Sequence, residues 1–194
     1  MLAAADLGNA HSRSEADDER DLVDAARNGD SRAFDLLVER HQRAIFRLCY
    51  RLAQNAEDAA DLTQEALLRA FRSIRSFRGE SAFGTWLYRI ALNTCRSFRS
   101  ARRAVHEELT EYSAVSAPDG TLRLEQDERA RTVRDAVARL PEKQKATLVL
   151  KIYHEMTHEQ IAAVLGTSVG TAKANLFHAL AGLRRMLGEQ GGMP

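Results

Sequence analysis

Residues 157–187 read THEQIAAVLGTSVGTAKANLFHALAGLRRML, two short amphipathic segments meeting at a tight corner. Thr157, with Gln160 three residues on, has the arrangement of a capping box, in which each side chain takes up an amide that the first helical turn leaves unpaired. Ile161, Val164 and Leu165 then share a helical face, and Ala162 and Ala163 beside them permit close approach. Gly166 suits the left-handed residue that ends a helix, and Ser168 suits the cap of the next. The second segment repeats Leu176, Leu180, Leu183 and Leu187, so one leucine stripe is expected to pack inward. Two helices joined this way make a helix-turn-helix, whose second helix is shaped for the major groove. Its other face carries Ser168, Thr171, Lys173, Asn175 and His178, with Arg184 and Arg185 beyond. No acidic residue follows Gln160 until after Gly188, as a surface meeting phosphates requires. An ordinary helical hairpin with a solvated polar face has the same local pattern, so the rest of the chain must discriminate.

At 194 residues the chain accommodates one medium domain or two small helical ones. The net charge of +1 says nothing about nucleic acid, but its distribution does. Glu15, Asp17, Asp18, Glu19, Asp21 and Asp24 make the start acidic. Between Ala66 and Arg103 arginine recurs at 69, 72, 75, 78, 89, 96, 99, 102 and 103, with Glu80 the only acid. Separate charged surfaces imply separate partners. Cys49 and Cys95 lack metal-ligand spacing, make no disulfide framework, and read as small buried hydrophobes. No apolar run approaches the roughly 20 residues that cross a bilayer. The start lacks a basic region followed by an apolar core, so no secretory signal is read. A soluble cytoplasmic protein without membrane insertion is the expectation.

Residues 1–20 read as a disordered tail. A short helix from Asp21 to Arg27 closes at Asn28-Gly29-Asp30, and Ser31 is expected to cap the next. There Phe34, Leu37, Val38, His41, Ile45, Leu48 and Leu52 step by threes and fours. Asn55 breaks it. A third helix runs from about Ala56 to Phe77 with Ala59, Leu62, Ala66, Ala70, Phe71 and Ile74 inward. The fourth follows Gly79 and Ser81, through Trp86, Leu87, Ile90 and Phe98. Residues 104–127 lose the periodicity, contain Pro118 and Gly120, and read as a flexible linker, too long for a loop inside one domain. Past Glu128, Val133, Val137 and Leu140 form a stripe, Pro141 opens a helix as a first-turn proline can, and Leu148, Val149 and Ile152 pack it. The fold class is therefore all-α: two small helical bundles, residues 21–103 and 128–190, joined by a linker, the second ending in the helix-turn-helix.

Two further groups carry chemistry. Arg89, Arg96, Arg99, Arg102 and Arg103 lie on one outward arc of the fourth helix, interleaved with Phe77, Phe83, Trp86, Tyr88 and Phe98. Arginines that hold a backbone beside rings that stack bases are the pattern for single-stranded DNA, although Trp86 shares a face with Ile90 and suits the core equally well. The loop from Arg78 to Gly84 is short and Gly-containing, the kind of place that receives an extruded base. On the third helix, Asp58, Asp61 and Glu65 line one face with Gln64 adjacent. That cluster suits docking on a basic protein surface, and equally suits the positive end of a helix.

Ala56–Phe71, AEDAADLTQEALLRAF, followed by Phe77–Asn93, FRGESAFGTWLYRIALN, resembles the region of bacterial sigma factors that docks on core RNA polymerase and opens the promoter. Leu140–Leu180 resembles their second DNA-binding domain. The length and two-part plan are similar to the extracytoplasmic-function group. The resemblance implies that Asp58, Asp61, Leu62, Gln64 and Glu65 face the polymerase clamp, and that Arg78, Gly79, Ser81, Phe83, Trp86, Asn93, Arg96 and Arg99 hold the minus-ten element as single strand. It assigns Ser168, Thr171, Lys173, Asn175, His178 and Arg184 to the minus-thirty-five duplex. It also implies the beta and beta-prime subunits of core polymerase, promoter DNA and an anti-sigma factor as partners, a linker threaded toward the polymerase active-site and RNA-exit region, and no cofactor or catalytic residue of the chain's own. The chain departs from the family at Asn175, His178 and Leu180, and at Leu92, where arginines are common. Fewer cations there should lower the salt slope of DNA binding by about one unit per lost contact.

His154-Glu155-Met156-Thr157-His158 matches H-E-x-x-H, the zinc-protease pattern, which needs both histidines on one continuous helix. Thr157 as a cap would break that helix and separate them, and no third ligand is evident. A dimeric helix-turn-helix regulator is the other alternative, and it requires a palindromic site bound without polymerase.

Overall fold

The computed structural model describes residues 17–109 and 126–190, and no strand occurs among them. Helix ends are set by local side chains. α1 covers residues 17–27 and so begins inside the segment read as tail; residues 1–16 lie outside the described ones. After a turn at Gly29 (φ 102°), α2 spans Ser31–Ala53. Its cap is Asp30 and not Ser31: the Asp30 carboxylate accepts from Arg32 N at 2.9 Å and Ala33 N at 3.3 Å. A carboxylate on the exposed amides also meets the positive end of the helix, which a serine hydroxyl does not. Gln54 closes α2 in a left-handed conformation (φ 60°), and the Asn55 side chain accepts from Asp58 N to start α3, Ala56–Ser73. Residues Ile74–Ser76 continue as one 3-10 turn. The Ser73 hydroxyl donates to Arg69 O at 2.6 Å, a back-bond that favours leaving the α-helix there.

α4 spans Phe83–Leu109 and continues past Ala104, where the pattern placed the linker; residues 110–125 of that linker lie outside the described ones. α5 covers Gln126–Ala138, α6 Glu142–Tyr153, α7 His158–Leu165 and α8 Val169–Gln190. Pro141 sits at the cap of α6, one residue before the first turn. In α6 every residue from Lys145 to Leu150 is buried, because neighbours cover it on more than one side. Ile152, expected inward, is 56 % exposed at its end.

The two helical groups are there, α1–α4 and α5–α8, and they are packed on each other. α6 lies on α2 and α7 on α4. One buried cluster runs from Val23 in α1 through Leu37, Ile45, Leu48 and Leu87 to Val149, Leu150, Ile161 and Ala172. A second, small one joins Leu140, Leu148 and Ala179, with Val137, Leu176, Leu183 and Met186 against it. Fully burying a side chain of the Leu or Ile kind contributes about 1.5–3 kcal/mol, so the shared cluster dominates the packing. Cys49 and Cys95 are free and buried within it.

Candidate polymerase and nucleic-acid interfaces

α3 sorts its predicted docking residues into inner and outer rows. Leu62 is 5 % exposed and anchors the helix in the core, so it presents nothing to a partner. Asp58 is held by Arg102, Nη1 to Oδ2 at 2.7 Å, and Glu65 accepts from Arg69 Nε at 2.6 Å. Asp61 and Gln64 are exposed. Their row continues by helical steps to Leu68 and Phe71, which are 42 % and 49 % exposed. Phe71 was expected inward; its ring meets Phe34 edge-on at 5.1 Å and leaves the other side open. The outer face is thus acidic at one end and apolar at the other, and the apolar half is what the sequence reading missed.

The segment between α3 and α4 builds an aromatic corner. Phe77 lies 5.0 Å from Trp86 and 6.2 Å from Phe83, which is itself 5.6 Å from Trp86 (ring centroids). Phe83 is 4 % exposed, so its ring supports the corner and is not free to stack on a base; Trp86 is half-buried at the rim. Arg78, Gly79 and Glu80 are exposed, with Ser81 half-buried beside them. Gly79 has φ 73°, a conformation that costs other residues strain. At Gly84 a Cβ would stand 3.2 Å from His41 Cε1, so the His41 ring would have to give by a few tenths of an ångström to admit a side chain. Along α4, Asn93, Arg96 and Arg99 step by three on one side; Asn93 and Arg99 are exposed and Arg96 is half-buried.

The corner of the helix-turn-helix forms as its sequence requires. Thr157 accepts from Gln160 N, and Gln160 Oε1 accepts from Thr157 N at 2.8 Å. Gly166 is left-handed at φ 63°. Ser168 accepts from Thr171 N at 3.0 Å and pairs with its hydroxyl, so both are engaged in the cap. The inner face of α8 runs through Ala172, Leu176, Ala179 and Leu183; Leu180 points outward at 45 % exposure, against the expected leucine stripe. The outer face then reads Lys173, Phe177, Leu180, Arg184, with Phe177 70 % exposed. His178 is exposed too, whereas Asn175 is half-buried with its amide nitrogen enclosed and unpartnered. His154 ends α6 and His158 begins α7, so the H-E-x-x-H pair does not share a helix.

Residues 37–105 match the Sigma-70 region 2 family model, and residues 130–183 match Sigma-70 region 4. The RNA polymerase sigma-H factor of Pseudomonas aeruginosa is 36% identical over 174 residues, covering 83% of this chain and 89% of that protein. The ECF RNA polymerase sigma-E factor of Haemophilus influenzae is 37% identical over 169 residues, covering 81% and 89%. The chain belongs to the extracytoplasmic-function sigma factors. Its fold is similar to CnrH in the solved complex with the cytosolic domain of CnrY, with a TM-score of 0.68 and 26% identity over 89% of this chain and 98% of CnrH. A sigma factor binds core RNA polymerase and directs it to start transcription at promoters.

In this sigma factor, region 2 and region 4 meet along a polar seam that uses two arginines of the α4 arc. Arg96 Nε donates to Glu142 Oε1 at 2.6 Å, and Arg89 donates to Ala163 O at 2.8 Å. Lys145 Nζ donates to Leu52 O at 3.1 Å, placing a cation on the negative end of α2. Burial, aided by Arg99, pushes the pKa of that ammonium down to about 8. Arg51 stacks over the Tyr153 ring at 3.9 Å. Tyr88 and His154 Nδ1 hydrogen-bond at 2.8 Å, and His154 Nε2 is enclosed without a partner. Burial first, then the charges of Arg47 and Arg51, push the His154 pKa down to about 4.

That shift fixes a pH dependence. A histidine kept neutral on folding contributes stability that is full above its free value near 6.5 and is lost as pH falls from there toward 4. Allowing for solvent screening, the loss at pH 5 should be about 1 kcal/mol. Thermal denaturation between pH 7 and 5 checks it: the wild-type midpoint falls, and His154→Gln flattens that part of the profile. An equal slope in both proteins would remove His154 from the explanation.

Proposed function

We propose that the sigma factor divides promoter recognition between its two helical groups. The outer row of α3 (Asp61, Gln64, Leu68 and Phe71, with Glu65 beside it) docks on core polymerase. The Gly79 loop, Trp86, Asn93, Arg96 and Arg99 hold the minus-ten strand after melting. Lys173, Phe177, His178 and Arg184 meet the upstream minus-thirty-five duplex, with Ser168 and Thr171 shaping the helix start. The carrying observation is the pairing of an arginine and aromatic corner in region 2 with a cationic recognition helix in region 4 that carries no acidic residue up to Gly188. Nucleotidyl transfer belongs to the polymerase. CnrH is known in complex with the cytosolic domain of CnrY, which supports a protein partner for this chain; we take that partner to be an anti-sigma factor, and the target to be a stress or envelope regulon, as the sigma-E and sigma-H names of its relatives suggest. Because Glu142 engages Arg96, that ion pair has to part before Arg96 grips the strand.

Permanganate footprinting with core polymerase tests the division. Reactive thymines should appear downstream, together with protection of an upstream duplex. A palindromic footprint formed without polymerase would favour the dimeric regulator instead. On α8, Lys173→Ala with Arg184→Ala should weaken duplex binding across all sequences and reduce the salt slope by about 2 units. Phe177→Ala should act at particular base pairs, as loss of an apolar contact to a thymine methyl does. Filter binding at several salt concentrations separates these outcomes; base-selective loss in the double variant would make those cations base readers.

A further inference from the structure

Cys49 on α2 and Cys95 on α4 are the chain's only cysteines, and they face each other in the core of region 2. Cys95 Sγ donates to Cys49 Sγ at 3.7 Å, and the two residues are 0 % and 3 % exposed. Cys95 also lines a small crevice in the seam, together with Arg96 and Arg99 of α4 and Glu142 and Ala146 of α6. A sulfur pair with one member on a crevice, next to the arginines proposed to hold DNA, has an approach that core cysteines ordinarily lack. We propose that Cys49 and Cys95 are a peroxide-responsive dithiol whose oxidation to an intrachain disulfide lowers promoter opening.

The chemistry balances with hydrogen peroxide as the oxidant. Accepting the Cys95 S–H holds the Cys49 thiol below its ordinary range, and the same contact together with burial pushes Cys95 up. Cys95 lines the crevice and Cys49 does not, so Cys95 is the nucleophile, its proton passing to the Cys49 thiolate across the 3.7 Å contact. The Cys95 thiolate attacks one peroxide oxygen, the O–O bond breaks, and hydroxide leaves and takes up a proton as water. The sulfenic acid left on Cys95 is then attacked by Cys49, which gives up its proton; the S–S bond forms, the S–O bond breaks, and a second water departs. Two thiols lose two electrons and one peroxide gains them. Bond formation brings the sulfurs from 3.7 Å to about 2.05 Å, through side-chain rotation and a small approach of α4 to α2. Arg96 is the next residue and Arg99 lies one turn on, so both move with the bond.

The effect on transcription rests on the reading of α4 above, whereas the disulfide does not. The full chain is treated with hydrogen peroxide, quenched with catalase, mapped by non-reducing peptide mass spectrometry, and only then mixed with core polymerase for transcription. The expected result is loss of both thiols, a linked Cys49–Cys95 peptide, a several-fold drop in transcript, and recovery of both with dithiothreitol. Cys95→Ala and Cys49→Ala should each transcribe equally well with and without peroxide. Thiols that stay titratable, sulfinic acid or intermolecular dimers as the product, an unchanged transcript from the linked protein, or equal inhibition of the alanine variants would each overturn the proposal. A chain that forms the linkage but never transcribes, even reduced, would contradict the proposed function instead.

Discussion

Lysine at both Asp61 and Glu65 is expected to weaken binding to core polymerase by about 100-fold or more, with helicity unchanged. Truncating one partner of a desolvated interface charge pair costs about 2–5 kcal/mol, and reversal adds repulsion. Inside the free protein neither residue does much: Asp61 is exposed, and Glu65 reaches only Arg69 one turn on, a pair worth about 0.3–0.5 kcal/mol. Asp58 is a poorer choice, because its Arg102 partner would be stranded. Titration of fluorescently labelled core reads the affinity, and circular dichroism reads the fold. Unchanged affinity in a folded double variant would refute the docking role of α3.

Leu150→Ala should destabilise the whole chain by about 2–5 kcal/mol, because the residue is fully enclosed and its neighbours collapse only partly into the space left. At this size each kcal/mol moves the melting temperature by about 2–4 °C, so a fall on the order of 10 °C is expected. Since the core cluster spans both helical groups, region 2 should lose stability along with region 4. Leu180→Ala, the same change on the outer face of α8, should stay within about 0.5 kcal/mol. Calorimetry on the two variants decides it. Equal midpoints, or a region 2 transition untouched by Leu150→Ala, would mean that the shared cluster does not couple the groups.

The parts of the fold readable from sequence were those with a local cause. The capping box at Thr157 and Gln160, the left-handed Gly166 and the Ser168 cap need only a few consecutive residues, and each formed as expected. Where two neighbouring positions serve equally well, the pattern misassigned them. Ser31 and Asp30 both suit a cap, and the charged side chain took it. Leu176, Ala179 and Leu183 leave no room on the inner face of α8, so Leu180 turns out; alanine's small size hid that packing row from a reading built on leucines. Phe71 is similar, since contact with Phe34 and exposure on the other side are compatible. The seam was illegible for a different reason. Arg96 and Glu142 are 46 positions apart, and Tyr88 and His154 are 66 apart; no periodicity announces a partner at that separation. The residue types proposed to meet DNA and polymerase are legible in the sequence. Which of them are buried supports, as Leu62 and Phe83 are, is settled only by three-dimensional packing.

This sigma factor supplies promoter choice to a polymerase that has none alone. The most direct measurement of this is in vitro transcription with core RNA polymerase on a library of genomic fragments, mapping the 5′ ends of the RNA. The expected result is a small set of discrete starts, each preceded by a shared two-part sequence, that vanish when the chain is omitted. RNA with scattered ends, identical with and without the chain, would contradict the account.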